Sequence, residues 1–188
     1  MGSSHTKARL HRRSIRLPGY DYTSEGGYFI TCVTHHRECL YGQLCHGDIQ
    51  LNSLGKIVRE EWFRTARMRP NIELLEDEFV VMPNHIHGII WITDVTGRGS
   101  LQRTPTMEQF QKPVSNSIPT IMRLFKATTA KQINLLRGTP GEPLWQRNYY
   151  EHIIGSKRDY YAIAEYIENN PAGWEIDQEN PNNRKMLS

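Results

Sequence analysis

A chain of 188 residues with 38% hydrophobic and 23% charged side chains has an ordinary globular composition and is most economically one domain spanning 1–188. Its net charge of +3 permits a nucleic-acid partner without demanding one, and no run of about 18 apolar residues is present to cross a membrane. Three cysteines, an odd number, behind a basic N-terminus that lacks a secretory apolar core, point to free thiols in a reducing, cytoplasmic compartment.

The chain opens with a basic arm (1–20) in which Arg12, Arg13 and Arg16 follow Lys7 and Arg9. Residues 28–34, aromatic and β-branched after Gly26-Gly27, read as a first strand. Cys32, His35, His36, Cys39, Cys45 and His46 then crowd together and raise a structural zinc site. Their spacing matches no standard finger, and a cysteine inside a strand is commonly just a small buried residue. A small hairpin is predicted around Gly47-Asp48. Asn52 or Ser53 then caps a helix with Leu54, Ile57, Val58, Trp62 and Ala66 on its apolar face, stopped by Pro70.

Residues 79–92, FVVMPNHIHGIIWI, read as two apolar strands joined at Pro83-Asn84. Side chains alternate along a strand, so His85 and His87 point to one face, followed there by Ile89 and Trp91. Apolar residues on both faces predict a central strand, and Gly88 is expected to leave room for backbone or substrate. Two adjacent imidazoles form either a metal site or a pair satisfied by core hydrogen bonds.

Periodicity vanishes from 96 to 117, an insertion too long for an ordinary connection. A second helix begins at Ile118-Pro119-Thr120 and ends at Gly138. Arg123, Lys126 and Lys131 lie off its apolar stripe, a solvated face that would also suit phosphates. Residues 144–154 read as an extended segment and strand. Ser156 to Asp159 opens a third helix that halts before Pro171, and the polar tail 172–188 is docked by Trp174 and Ile176.

The order strand, helix, hairpin, helix, strand, helix predicts an α+β fold: a ferredoxin-like (RNA-recognition-motif-like) antiparallel sheet of about four or five strands with helices packed on it. On the third helix, Tyr160, Ile163, Ala164 and Ile167 form the sheet-facing stripe. Tyr166 falls roughly 110° from the centre of that stripe, and Asn170, four residues later, projects on the same side.

Three motifs in order, MPNHIHG at 82–88, LWQR at 144–147 and YIENNP at 166–171, resemble the HUH-type single-tyrosine transposases, above all the REP-associated tyrosine transposases. The resemblance runs from Arg12-Arg13 to about Asn182. It implies a metal-dependent, single-stranded-DNA transposase that cleaves and rejoins strands through a 5′-phosphotyrosine intermediate and recognises hairpin or repeat DNA. Carried over, Tyr166 is the nucleophile, and His85, His87 and Asn170 hold a divalent metal, Mg2+ or Mn2+, with manganese bound more tightly by an imidazole pair. Tyr149 and Tyr150 fall to packing or DNA contact. Arg12, Arg13, Arg16, Arg123, Lys126, Lys131, Trp145 and Arg147 are the expected contacts to DNA phosphates and bases.

Such a protein works in the prokaryotic cytoplasm on the nucleoid. The resemblance covers monomers as well as homodimers that exchange the tyrosine helix. The principal competing reading is a non-catalytic, hairpin-binding regulatory protein of the same fold. A zinc hydrolase would need an acidic base at a recognisable spacing, and an RNA-binding module would need exposed aromatics where this chain has histidines.

Overall fold

The computed structural model describes residues 20–94 and 114–184. Residues 1–19 of the basic arm, with Arg12, Arg13 and Arg16, and residues 95–113, which include most of the predicted insertion 96–117, lie outside these described residues.

A five-stranded antiparallel sheet forms the middle layer. It is built from β1 (Gly26–Val33), β4 (Ile72–Glu73), β5 (Phe79–Val81), β6 (His85–Ile92) and β7 (Tyr150–Ile153). Their order is β4-β6-β1-β7, with β5 sharing the β4 edge of β6. This is the predicted ferredoxin-like arrangement, with the two-residue β4 as an unforeseen addition. A separate hairpin pairs β2 (Gly42–Cys45) with β3 (Asp48–Leu51), turning at His46-Gly47 as expected.

One face of the sheet is covered by α1 (Ser53–Met68) and α2 (Ile118–Arg137). Trp62, Ile121, Met122, Phe125 and Ile133 meet Tyr28, Ile30, Cys32, Ile86 and Ile90 in the main core. The helix ends obey local chemistry. Asn52 Oδ1 accepts the Leu54 and Gly55 N–H groups at 2.9 and 3.1 Å, and Gly138 closes α2 with a left-handed φ of 67°. The opposite face carries α3 (Lys157–Asn169), whose Ile167 packs on Phe29 and Ile89 in a smaller cluster with Tyr160 and Ile163 at its margin. Among the described residues no helix is long and apolar enough to cross a membrane.

Gly88 serves the core rather than a substrate. A Cβ there would lie 2.6 Å from Trp62 Cζ2 and 2.8 Å from Phe79 Cδ2, on the face opposite the histidines. Those two rings are stacked at 4.7 Å and have nowhere to retreat. Gly88→Ala should therefore lower the free energy of unfolding by about 1–3 kcal/mol through overpacking, read from urea midpoints.

Candidate active site

β6 is the central strand and is buried on both faces, so His85 and His87 stand side by side without solvent (0% and 3% exposed). The hairpin before them is closed by the Met82 N–H bond to the His85 carbonyl at 2.8 Å. Burial disfavours a charged imidazolium. It pushes His85 down to about 4, against smaller opposing contributions from Glu179 and Asn170. His87 falls well below 6.5 through burial and then through the neighbouring His85. Both rings are neutral at physiological pH and each keeps a lone pair.

Asn84 decides where the His85 lone pair points. Its Nδ2 donates to the carbonyls of Arg37 (3.0 Å) and Glu179 (2.8 Å), using both amide hydrogens. Oδ1 must then face His85 Nδ1, 2.8 Å away, as an acceptor, so Nδ1 carries the proton and Nε2 is bare. For His87 the same logic uses Thr31 Oγ1, 2.7 Å from Nδ1. The Tyr166 hydroxyl lies 3.2 Å from His87 Nε2, and a phenol is the better proton donor of the two hydroxyls. Tyr166 therefore donates to Nε2, and His87 carries its proton on Nδ1.

The tyrosine arrives from α3, 79 residues downstream, and stays half-exposed at 48%. Its ring sits edge-on to Phe29 (6.0 Å) and tilted against His87 (5.0 Å). Burial raises its pKa, with a hydrogen bond from Asn170 opposing. The predicted stripe of α3 holds: Ile167 enters the core, while Tyr166 and Asn170 emerge together on the flank beside the histidines. Asn170 is 6% exposed, and its Oδ1 has no hydrogen-bond partner.

One group was not legible in the sequence. Asp177, in the tail, lies with Oδ2 3.7 Å from His85 Nε2 while its Oδ1 accepts the Glu179 N–H at 2.6 Å. Because His85 is neutral with its proton on the far nitrogen, this contact is not an ion pair. Burial raises the Asp177 carboxyl pKa. Metal-ligating atoms of His85, His87 and Asp177 all lie within 4.8 Å of one another, the one such group among the described residues. The lone pair of His85 Nε2 and the Asn170 Oδ1 are unpartnered, and that of His87 Nε2 meets only the Tyr166 hydroxyl; with the Asp177 carboxylate they converge as the donor set a divalent cation requires. The residues fit a metal.

The tail is strapped over the histidines. Trp174 is buried with its ring 6.0 Å from that of His85, and Asn180 holds the Trp174 carbonyl at 2.9 Å. Arg37 pairs with Glu179 at 2.6 Å. Ile176, expected to help dock the tail, is instead exposed. Replacing Asn84 by Leu removes the acceptor that orients His85. It should weaken Mn2+ binding about 10- to 100-fold in calorimetry, whereas Asn84→Asp, which keeps an acceptor, should lose less.

Two of the expected DNA contacts are corrected. Trp145 is core, 6% exposed, with its indole N–H donating to Thr129 Oγ1 at 2.9 Å, so its face is not open to a base. Lys126 Nζ is committed to the carbonyls of Gln146, Arg147 and Asn148 at 2.6, 3.0 and 3.4 Å. Arg123, Lys131 and Arg147 are exposed. The first two sit on α2, which packs on the sheet face opposite the histidines. Cys32 is buried in β1, Cys39 is exposed, and among the described residues no metal-type cluster includes either.

No family model matches the chain. A curated protein of Haemophilus influenzae, itself uncharacterized, is 45% identical over 170 residues, covering 89% of this chain and 92% of its own. Among solved structures, a REP-associated tyrosine transposase bound to a REP hairpin superimposes with a TM-score of 0.53 at 20% identity, covering 85% of this chain and 73% of that one.

Proposed function

The chain belongs to one family with the Haemophilus influenzae protein and has the fold of a REP-associated tyrosine transposase, and from this and the site we propose that it cleaves and rejoins single-stranded DNA through Tyr166. The observation that carries the reading is the Tyr166 hydroxyl 3.2 Å from His87 in the same chain. A half-exposed tyrosine held against a buried imidazole pair has little use in a core and a direct one in phosphoryl transfer.

In the proposed reaction Tyr166 Oη forms a bond to the scissile phosphorus. The bond to the 3′-oxygen breaks, and the proton lost by the phenol is balanced by the one gained by the departing 3′-hydroxyl. The product is a 5′-phosphotyrosine, which a second 3′-hydroxyl attacks to reseal a strand without an external energy source. His85, His87 and Asp177, with Asn170 beside them, would hold a divalent ion, Mn2+ in preference to Mg2+. When bound, that ion offsets the negative charge of the phosphate oxygens. Asn170 favours the ionised phenol, and Asn84 and Thr31 fix the imidazole tautomers. Half-exposure of Tyr166 leaves the hydroxyl reachable by DNA. Since the tyrosine comes from the same chain, a monomer carries every group of the site.

The partner is single-stranded or hairpin DNA, in line with the hairpin bound by the structural relative. The test is incubation of end-labelled hairpin oligonucleotides with the protein and Mn2+ or Mg2+. A covalent protein–DNA adduct that survives denaturation is expected. Hairpin binding without adduct under every metal condition would leave a regulatory DNA-binding protein instead.

A further inference from the structure

The two tyrosines at the start of β7 have opposite fates. Tyr149, just before the strand, is partly buried against the main core, whereas Tyr150, its first residue, is 56% exposed on the face of the sheet that carries the histidines. The register makes the placement definite. Tyr150 lies opposite Thr31 on β1, and Thr31 lies opposite His87 on β6 and bonds its ring. Tyr150, Thr31 and His87 are thus one row across three adjacent strands, about 10 Å from end to end at the usual strand spacing.

The ring of Tyr150 is also held. It meets Phe29 edge-on at 6.2 Å, and the same Phe29 stacks on His87 at 5.5 Å and abuts Tyr166 at 6.0 Å. One buried phenylalanine therefore joins the exposed ring to both halves of the candidate active site. Among the described residues β7 is the edge strand, and Tyr150 is open to solvent. His152, two residues on and on the same face, is pinned by Asp159 at 2.9 Å, and exposed Arg147 precedes the strand.

We propose that Tyr150 is a stacking seat for an unpaired nucleobase next to the scissile phosphate. The inference rests on the reading of the site as one for single-stranded DNA and adds to it which protein surface takes the neighbouring base. A fixed aromatic face, two strands across the sheet from His87, suits a base rather than a phosphate. Inside a duplex the faces of that base would already be stacked, so the seat selects unpaired nucleotides.

The test uses the full chain and a hairpin with a single-stranded flank in which 2-aminopurine is stepped through successive positions. Fluorescence quenching is expected at one or two positions adjoining the cleaved bond for the unaltered protein and for Tyr150→Phe. Tyr150→Ala should lose the quenching and bind the flanked hairpin about ten- to a hundredfold more weakly, the range for one base–aromatic stack. Absence of quenching at every position with the unaltered protein, or full quenching and affinity in Tyr150→Ala, overturns the seat. Adduct formation by the unaltered protein reports separately on the underlying chemistry, so a normal adduct with an indifferent Tyr150→Ala rejects the seat alone.

Discussion

Tyr166→Phe should abolish the covalent DNA adduct, lowering its rate by at least about a thousandfold, while leaving hairpin affinity intact. The substitution removes one oxygen. The ring keeps its edge contact with Phe29 and its place against His87, so the fold should lose no more than about 1 kcal/mol, the net worth of one hydrogen bond. Mn2+ affinity should hold or rise, because the phenol no longer occupies the lone pair of His87 Nε2. Neighbouring tyrosines are poor substitutes. Tyr160 packs against Trp91, with its pKa pushed up to about 12 chiefly by a hydrogen bond to Glu78, and Tyr161 projects into solvent. Full adduct yield from the Phe variant would remove Tyr166 from the chemistry.

Acidification of the metal-free protein is expected to cost on the order of 3 kcal/mol of stability from His85 alone. The unfolded imidazole titrates near 6.5 and the folded one near 4. Above pH 6.5 neither state is protonated and His85 contributes no slope. Between 6.5 and 4 the unfolded chain takes up a proton that the folded chain refuses, so stability falls as pH falls, by about 1.4 kcal/mol per unit. Below 4 both states are protonated and the slope ends. His87, also depressed, acts in the same direction, while Asp177, whose carboxyl is raised by burial, offsets part of the loss at the acid end. Urea midpoints measured across this window provide the check, and His85→Asn should remove its share of the slope. A flat profile from pH 6.5 to 4.5 would mean that the histidines are not buried in the neutral form.

The layer order was readable because burial leaves a period in the sequence. Uninterrupted apolar residues around His85 and His87 foretold a strand covered on both sides, and the stripe of α3 foretold that Tyr166 and Asn170 would emerge together at its flank. The metal site was legible only where its residues lie on such regular elements. Asp177 belongs to an irregular tail whose path is set by side chains more than ninety residues earlier, through Asn84 and Arg37, and no local pattern encodes that. Trp145 misled for a related reason. An aromatic beside an arginine suggests a DNA contact, yet the indole found a threonine on α2 and was drawn inside. Lys126 was captured by three successive carbonyls, Gln146 to Asn148, that lie between the Thr34–Trp145 bridge and the start of β7.

The strap over the histidines also sets an order of events during synthesis. The tail that carries Asp177 and covers His85 and His87 is translated well after them. At ordinary elongation rates roughly five to twenty seconds separate the two on the ribosome. A nascent chain can build the strands around His85 and His87 while the donor set stays open on one side, and the site is completed only once Asp177 has been translated. A product truncated between the two would lack Asp177 and hold an incomplete donor set.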